Sequence, residues 1–218
     1  MTASTLVWLR QDLRLGDNPA LHWAAGRGAV IPVYVFDDKD PYTPGGAAKW
    51  WLQEALQDLA GQFERTGVPL ILRRGDAEKL IPALARESGA DAVAWNRCCE
   101  PHARRRDENI AAILEQNNIQ VHIANGGLLF APEHIRTRSG TPFRVYTPFA
   151  RACFAAPPPG ESLPAPKKLR PGKKIPGDRL TDWRLVPAGA RWTEGLAEAW
   201  TSGETAAQKQ LKQFLQNN

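Results

Sequence analysis

Cysteine and histidine are scarce in this 218-residue chain, which has three of the first and four of the second. Cys98 and Cys99 are neighbours and Cys153 is left over, an odd set that suits a reducing cytoplasm and offers no disulfide framework. No Cys/His spacing resembles a zinc or other metal site. His22, His102, His122 and His134 are scattered, Glu100 is the only acid near His102, and no serine sits in a nucleophile elbow, so nothing supports hydrolytic catalysis. Long apolar runs are missing too: none approaches the roughly 18 residues of a membrane span. The N-terminus has no basic region leading into an apolar core, and the expectation is a cytoplasmic protein with no membrane partner. A glycine-rich phosphate loop is also lacking at the first crossover, where Arg10 to Asp17 reads RQDLRLGD.

What is present describes an ordinary globular domain. The length suffices for one core and a segment beyond it, and 43% hydrophobic with 23% charged residues argues against disorder. The net charge of +5 suits work near phosphate backbones but is not specific to it. Leu6–Leu9 forms a short buried-strand run that ends at Arg10, and Asp17 or Asn18 followed by Pro19 starts a helix to Arg27. Strands are expected at 30–36, 68–74, 91–96 and 119–123. Between them, Ala48 to Phe63 carries an apolar face at three- and four-residue steps, closed by Gly67. Pro82 splits the next helical segment into a turn and a fresh helix, and a fourth helix runs from Pro101 to Asn118 with Ala103, Ile110, Ile113 and Leu114 inward and Arg104 to Glu108 mostly in water.

The alternation predicts an α/β fold: a doubly wound, five-stranded parallel sheet of order 3-2-1-4-5 with helices on both faces, then an extended linker and a C-terminal helix. Such a sheet binds ligands in the crevice at the carboxyl ends of strands 1 and 4. A short helix is expected at Tyr146 to Phe154. Eight of the eighteen prolines fall between Pro157 and Pro187, so 155–191 reads as a connector whose lysines lack interleaved aromatics for nucleic acid. Ala207, Leu211, Phe214 and Leu215 then recur at helical spacing. That face is expected to fold back, fray, or pack on another copy as an oligomer contact.

Three stretches carry a family resemblance. LVWLRQDLRLGDNPAL (6–21), NRCCEPHARRRD (96–107) and GTPFRVYTPF (140–149) resemble the DNA photolyase/cryptochrome family, and WTEGLAEAWTSGETAA (192–207) resembles the first helix of its flavin-binding domain. The resemblance implies an antenna-chromophore domain at 1–131, an interdomain connector at 132–191 and the start of the helical FAD-binding domain at 192–218. The rest of that domain, with FAD and the groove for damaged DNA, would lie outside this chain. No catalytic residue is therefore expected here, and this chain alone is expected to be inactive.

The antenna site implied by the resemblance lies at the crevice. Its candidate residues are Arg10, Val35, Phe36, Asp37, Lys49, Asn96, Cys98, Glu100 and Arg104. Lys49 would meet a ribityl or phosphate tail, and Phe36 would line a slot for a planar ring. The pattern N-x-x-x-E-P-x-x-R-x-R-D is associated with members that take 8-hydroxy-5-deazaflavin or FMN. His102 and Ala103 stand where folate-binding members have Asn-Glu, against methenyltetrahydrofolate; some members bind no antenna. Deoxyribodipyrimidine photolyase is the first reading, cryptochrome the second and a stand-alone nucleotide-binding module the third.

Overall fold

The computed structural model describes residues 3–217. Five parallel strands alternate with helices: β1 (Ser4–Leu9), α1 (Pro19–Arg27), β2 (Ala29–Phe36), α2 (Gly46–Thr66), β3 (Ile71–Arg74), α3 (Ala77–Ser88), β4 (Ala92–Asn96), α4 (Pro101–Gln116) and β5 (Gln120–Ala124). Their order is β3-β2-β1-β4-β5, as the alternation predicts. β1 is central, with Leu6 beside Ile31 on one side and beside Val93 on the other. All of β2 and β4 is buried, as strands covered on both faces must be.

Side-chain alternation divides the core. Val7 and Leu9 face α1 and α2, meeting Leu21, Leu59 and Phe63. Leu6 and Trp8 face α3 and α4, meeting Ile81, Leu84, Ile110 and Leu114. The helix starts follow their caps: Asn18 accepts from the Leu21 N–H ahead of Pro19, and Asp76 accepts from the Glu78 N–H. Gly67, at φ +95°, ends α2.

Three expectations are corrected. α3 runs unbroken through Pro82, because the Asp76 cap and a buried face of Ala77, Ile81, Leu84 and Ala85 hold the helix together across the proline. β3 is shorter than 68–74, since Val68 is still engaged in closing α2 through its N–H to the Phe63 carbonyl. On α4, Asp107 lies on the buried face with Ala103, Ile110 and Leu114, whereas Ile113, expected inward, is exposed along with Arg104, Arg105 and Glu108.

Beyond β5 come α5 (Tyr146–Ala155), β6 (Arg170–Pro171), a single 3-10 turn (Leu180–Trp183), α6 (Trp192–Ala199) and α7 (Glu204–Asn217). The proline-rich stretch is extended, as its composition requires, but it is fastened to the domain. β6 pairs in parallel with Ala29 and Val30 of β2, adding a sixth strand along the edge that β3 leaves open. Gly172 lies so close to Ile31 that a Cβ there would sit 2.3 Å from its Cγ1. Leu169, Ile175, Trp183 and Leu185 are buried. Asp178 accepts from the Arg74 N–H at 2.9 Å and from the Trp183 indole N–H at 3.1 Å, and Trp183 packs beside Tyr34 and Phe36. The first turn of the last helix docks on the β1–α1 loop, while Leu211 and Leu215 of its apolar face remain exposed.

Candidate functional site

β1 ends at Leu9, and Arg10 turns across the carboxyl ends of the sheet. Its guanidinium meets the Asp107 carboxylate at 2.6 Å and donates to the Asn96 carbonyl at the end of β4. Arg106, one residue before Asp107, contacts the same carboxylate at 3.3 Å and pairs with Asp37 at 3.1 Å and Asp40 at 3.7 Å. Both guanidinium carbons lie over the Trp8 ring, 4.5 Å (Arg10) and 5.0 Å (Arg106) from its centroid. The side chains of Arg10 and Asp107 are each only 8% exposed, so neither charge is tolerable there without the other.

This network floors a cavity of about 230 Å³ lined by Trp8, Arg10, Val35, Phe36, Asp37, Cys98 and Arg106, among others. A larger cavity of about 900 Å³ adjoins it, sharing Arg10, Gln11, Tyr34, Pro44 and Leu52 and extending along Trp51 and Ala55 of α2 to Ala207 and Leu211 of α7. Burial raises the Cys98 thiol above its ordinary value, which keeps it a thiol at neutral pH. Burial, with the Asp40 charge behind it, likewise raises the Tyr34 hydroxyl. Backbone N–H groups, then the Gln11 side chain, lower the Glu100 carboxyl. Among the described residues no group of His, Cys, Asp and Glu is arranged to hold a metal ion, and no helix is long and apolar enough to cross a membrane.

The structure brings Arg10, Val35, Phe36, Asp37 and Cys98 to one cavity and places the other four candidates elsewhere. Asn96 is turned inward: its amide donates to Asp12 at 2.5 Å and Asn18 at 2.8 Å, and its Oδ1 accepts from the Ala20 N–H at 3.2 Å. It locks β4 to the crossover instead of lining the crevice. Glu100 opens α4 and accepts from Gln11 at 3.2 Å, outside the lining. Arg104 points to water on α4, and Lys49 of α2 is not among the lining residues of either cavity. Arg106 and Asp107, the last two positions of the family pattern quoted above, are not among the nine candidates. The signal was present, since Asp107 falls four residues after Ala103 and three before Ile110, in step with the buried face.

The fold and this crevice define a doubly wound α/β domain with a ligand-sized trough at the carboxyl ends of β1 and β2, one strand over from the β1–β4 crevice that the strand order predicts. The chain belongs to the DNA photolyase family, whose model matches residues 5–167. It is 39% identical over 216 residues to a deoxyribodipyrimidine photo-lyase of Agrobacterium fabrum, covering 98% of this chain and 45% of the relative. It is 29% identical over 224 residues to Cryptochrome-2 of Arabidopsis thaliana, covering 99% of this chain and 37% of that protein. The crystal structure of a bacterial class III photolyase from Agrobacterium tumefaciens superimposes with a TM-score of 0.93 at 39% identity, over 99% of this chain and 45% of that one. The chain thus spans less than half the length of these relatives.

Proposed function

We propose that this chain is the antenna-chromophore-binding domain, with its connector, of a deoxyribodipyrimidine photolyase. The observation that carries the reading is the trough itself: two cavities sharing walls at the carboxyl ends of β1 and β2, mostly apolar, with aromatic rings and a few fixed charges. The smaller cavity alone lies below the roughly 300 Å³ at which ligand pockets begin, so a fused-ring chromophore requires the adjoining space along Trp51. Such a chromophore supplies light absorption; the chain's own residues seat it, exclude water and fix its orientation. Arg10 and Arg106 are already paired with carboxylates, so the trough favours a ring held by stacking over a tail held by free cations.

Repair of cyclobutane pyrimidine dimers in damaged DNA, by light-driven electron transfer from reduced FAD, is the activity we assign to a longer protein. No catalytic residue is assigned to this chain. Absorption and fluorescence spectra of the purified protein, taken before and after separate addition of 8-hydroxy-5-deazaflavin, FMN and methenyltetrahydrofolate, test the antenna role. A red-shifted bound chromophore that is lost in Phe36→Ala or Trp51→Ala supports it and identifies its type. No binding of any of the three overturns it. Similarity to plant cryptochromes along nearly the whole chain supports a photoreceptor as the second reading. Light-dependent repair of irradiated DNA by the longer gene product separates the two.

A further inference from the structure

Charge is unevenly placed along this chain. Residues 155–191 hold eight Lys/Arg and three Asp/Glu, so the whole net charge of +5 sits in the connector and the rest of the chain is electrically balanced. Five of the eight, Lys167, Lys168, Arg170, Lys173 and Lys174, fall within eight positions, and Ser162 to Gly177 contains no acidic residue. All five are exposed, and among the described residues none forms a salt bridge. In the crevice, by contrast, Arg10 and Arg106 are each matched by an aspartate.

A loose linker would only keep such charges solvated, but this one is stapled down. The Leu169 N–H donates to the Thr66 carbonyl at 2.9 Å, the Gly172 N–H to the Val30 carbonyl at 3.2 Å and the Asp178 N–H to the Leu72 carbonyl at 2.8 Å. Leu169 and Ile175 are buried, so the alternation of the extended backbone turns Lys168 and Arg170 outward on either side of Leu169. Lys173 Nζ donates to the Glu87 carbonyl at 2.9 Å, and the Glu87 carboxylate is taken by Arg73 at 3.2 Å. At a strand's rise the seven steps from Lys167 to Lys174 span at most about 23 Å. Along that length one strand of a DNA duplex presents about seven phosphates. We propose that this fixed row docks the phosphate backbone of a nucleic-acid duplex. Because β6 pairs with Ala29 and Val30, the row lies at the amino end of β2, and the trough is at the other end of the same strand. Interleaved aromatics serve to stack the bases of single strands; a duplex keeps its bases stacked inside and asks only for cations. Docking of this kind carries no sequence preference.

Fluorescence anisotropy of a labelled, undamaged DNA duplex of about 20 base pairs, titrated with this chain between about 50 and 200 mM salt, tests the proposal. The plot of log K against log salt is expected to have a slope of about −4 to −5, as for five neutralised phosphates. In Lys167→Gln with Lys168→Gln the slope is expected to become shallower by about two. Arg104→Gln with Arg105→Gln removes the same two charges from the exposed face of α4 and is expected to leave the slope unchanged. All four side chains are exposed, so neither pair disturbs the core. Equal losses in the two pairs would overturn the row, since net charge alone would then account for binding. Absence of binding at about 100 μM protein and 50 mM salt would overturn it as well. So would tighter binding to vesicles of phosphatidylserine and phosphatidylcholine than to the duplex. The assay contains neither chromophore nor light, so its failure leaves the antenna reading standing.

Discussion

Asp107 shows how a single residue sets the chemistry of the crevice. It is buried, and it is the carboxylate common to Arg10 and Arg106, which both lie over Trp8. Asp107→Asn leaves a buried guanidinium short of its counter-charge, and urea denaturation is expected to register a loss of about 3–5 kcal/mol. Asn96 belongs to the same scale: its side chain makes three hydrogen bonds, and Gly126 lies against it so closely that a Cβ would stand 2.5 Å from its Cγ. For Asn96→Ala, which orphans the Ala20 N–H, the expected loss is about 2–3 kcal/mol by the same measurement. His122 gives a pH signature. It stacks on Trp23 with centroids 4.1 Å apart, and burial lowers its pKa below the ordinary histidine value. The unfolded chain then binds the proton more readily, so the stabilising contribution is complete above the unfolded pKa and is lost as pH falls through the folded one. Stability measured from pH 7.5 down to 5 is expected to decline less steeply in His122→Gln than in the unmodified protein.

At the scale of elements, the connector is the part whose behaviour composition described least well. Its prolines dictate an extended backbone, and that is what forms; they say nothing of what the backbone lies against. Leu169, Ile175, Trp183 and Leu185 are spaced too irregularly to show a helical or strand period, so their common burial was invisible to pattern reading. Truncating Trp183 is expected to cost about 3 kcal/mol, as for other buried tryptophans. Trypsin is then expected to cut after Lys173 and Lys174 in Trp183→Ala at protease levels that spare the unmodified chain. The alternating elements were legible for the opposite reason. Leu6–Leu9, the 30–36 run and the apolar face of α2 each repeat a local pattern that the sheet then uses directly. Within the crevice, Arg10, Phe36 and Asp37 followed from strand ends, whereas Arg106 and Asp107 sat inside a run of charges that reads as solvated. Only the phase of α4 distinguishes them from Arg104 and Glu108.

For the molecule as a whole, the trough, the connector and the last helix are coupled through the β1–α1 loop. Arg10 and Arg14 line the trough, Asp17 exchanges hydrogen bonds with Leu163 of the connector, and Leu15 and Gly16 receive Glu204. A change in any one is expected to be felt at the other two. The short strand β6 has a further effect. Ala29 and Val30 continue β2 past the reach of β3, and their outward backbone groups have Arg170 and Pro171 as neighbours. Peeling the connector away would uncover an apolar strand edge able to recruit the same edge of another molecule. The proline-rich stretch therefore also acts as a guard against self-association: its loosening, well short of global unfolding, is the event from which precipitation on storage or warming would begin.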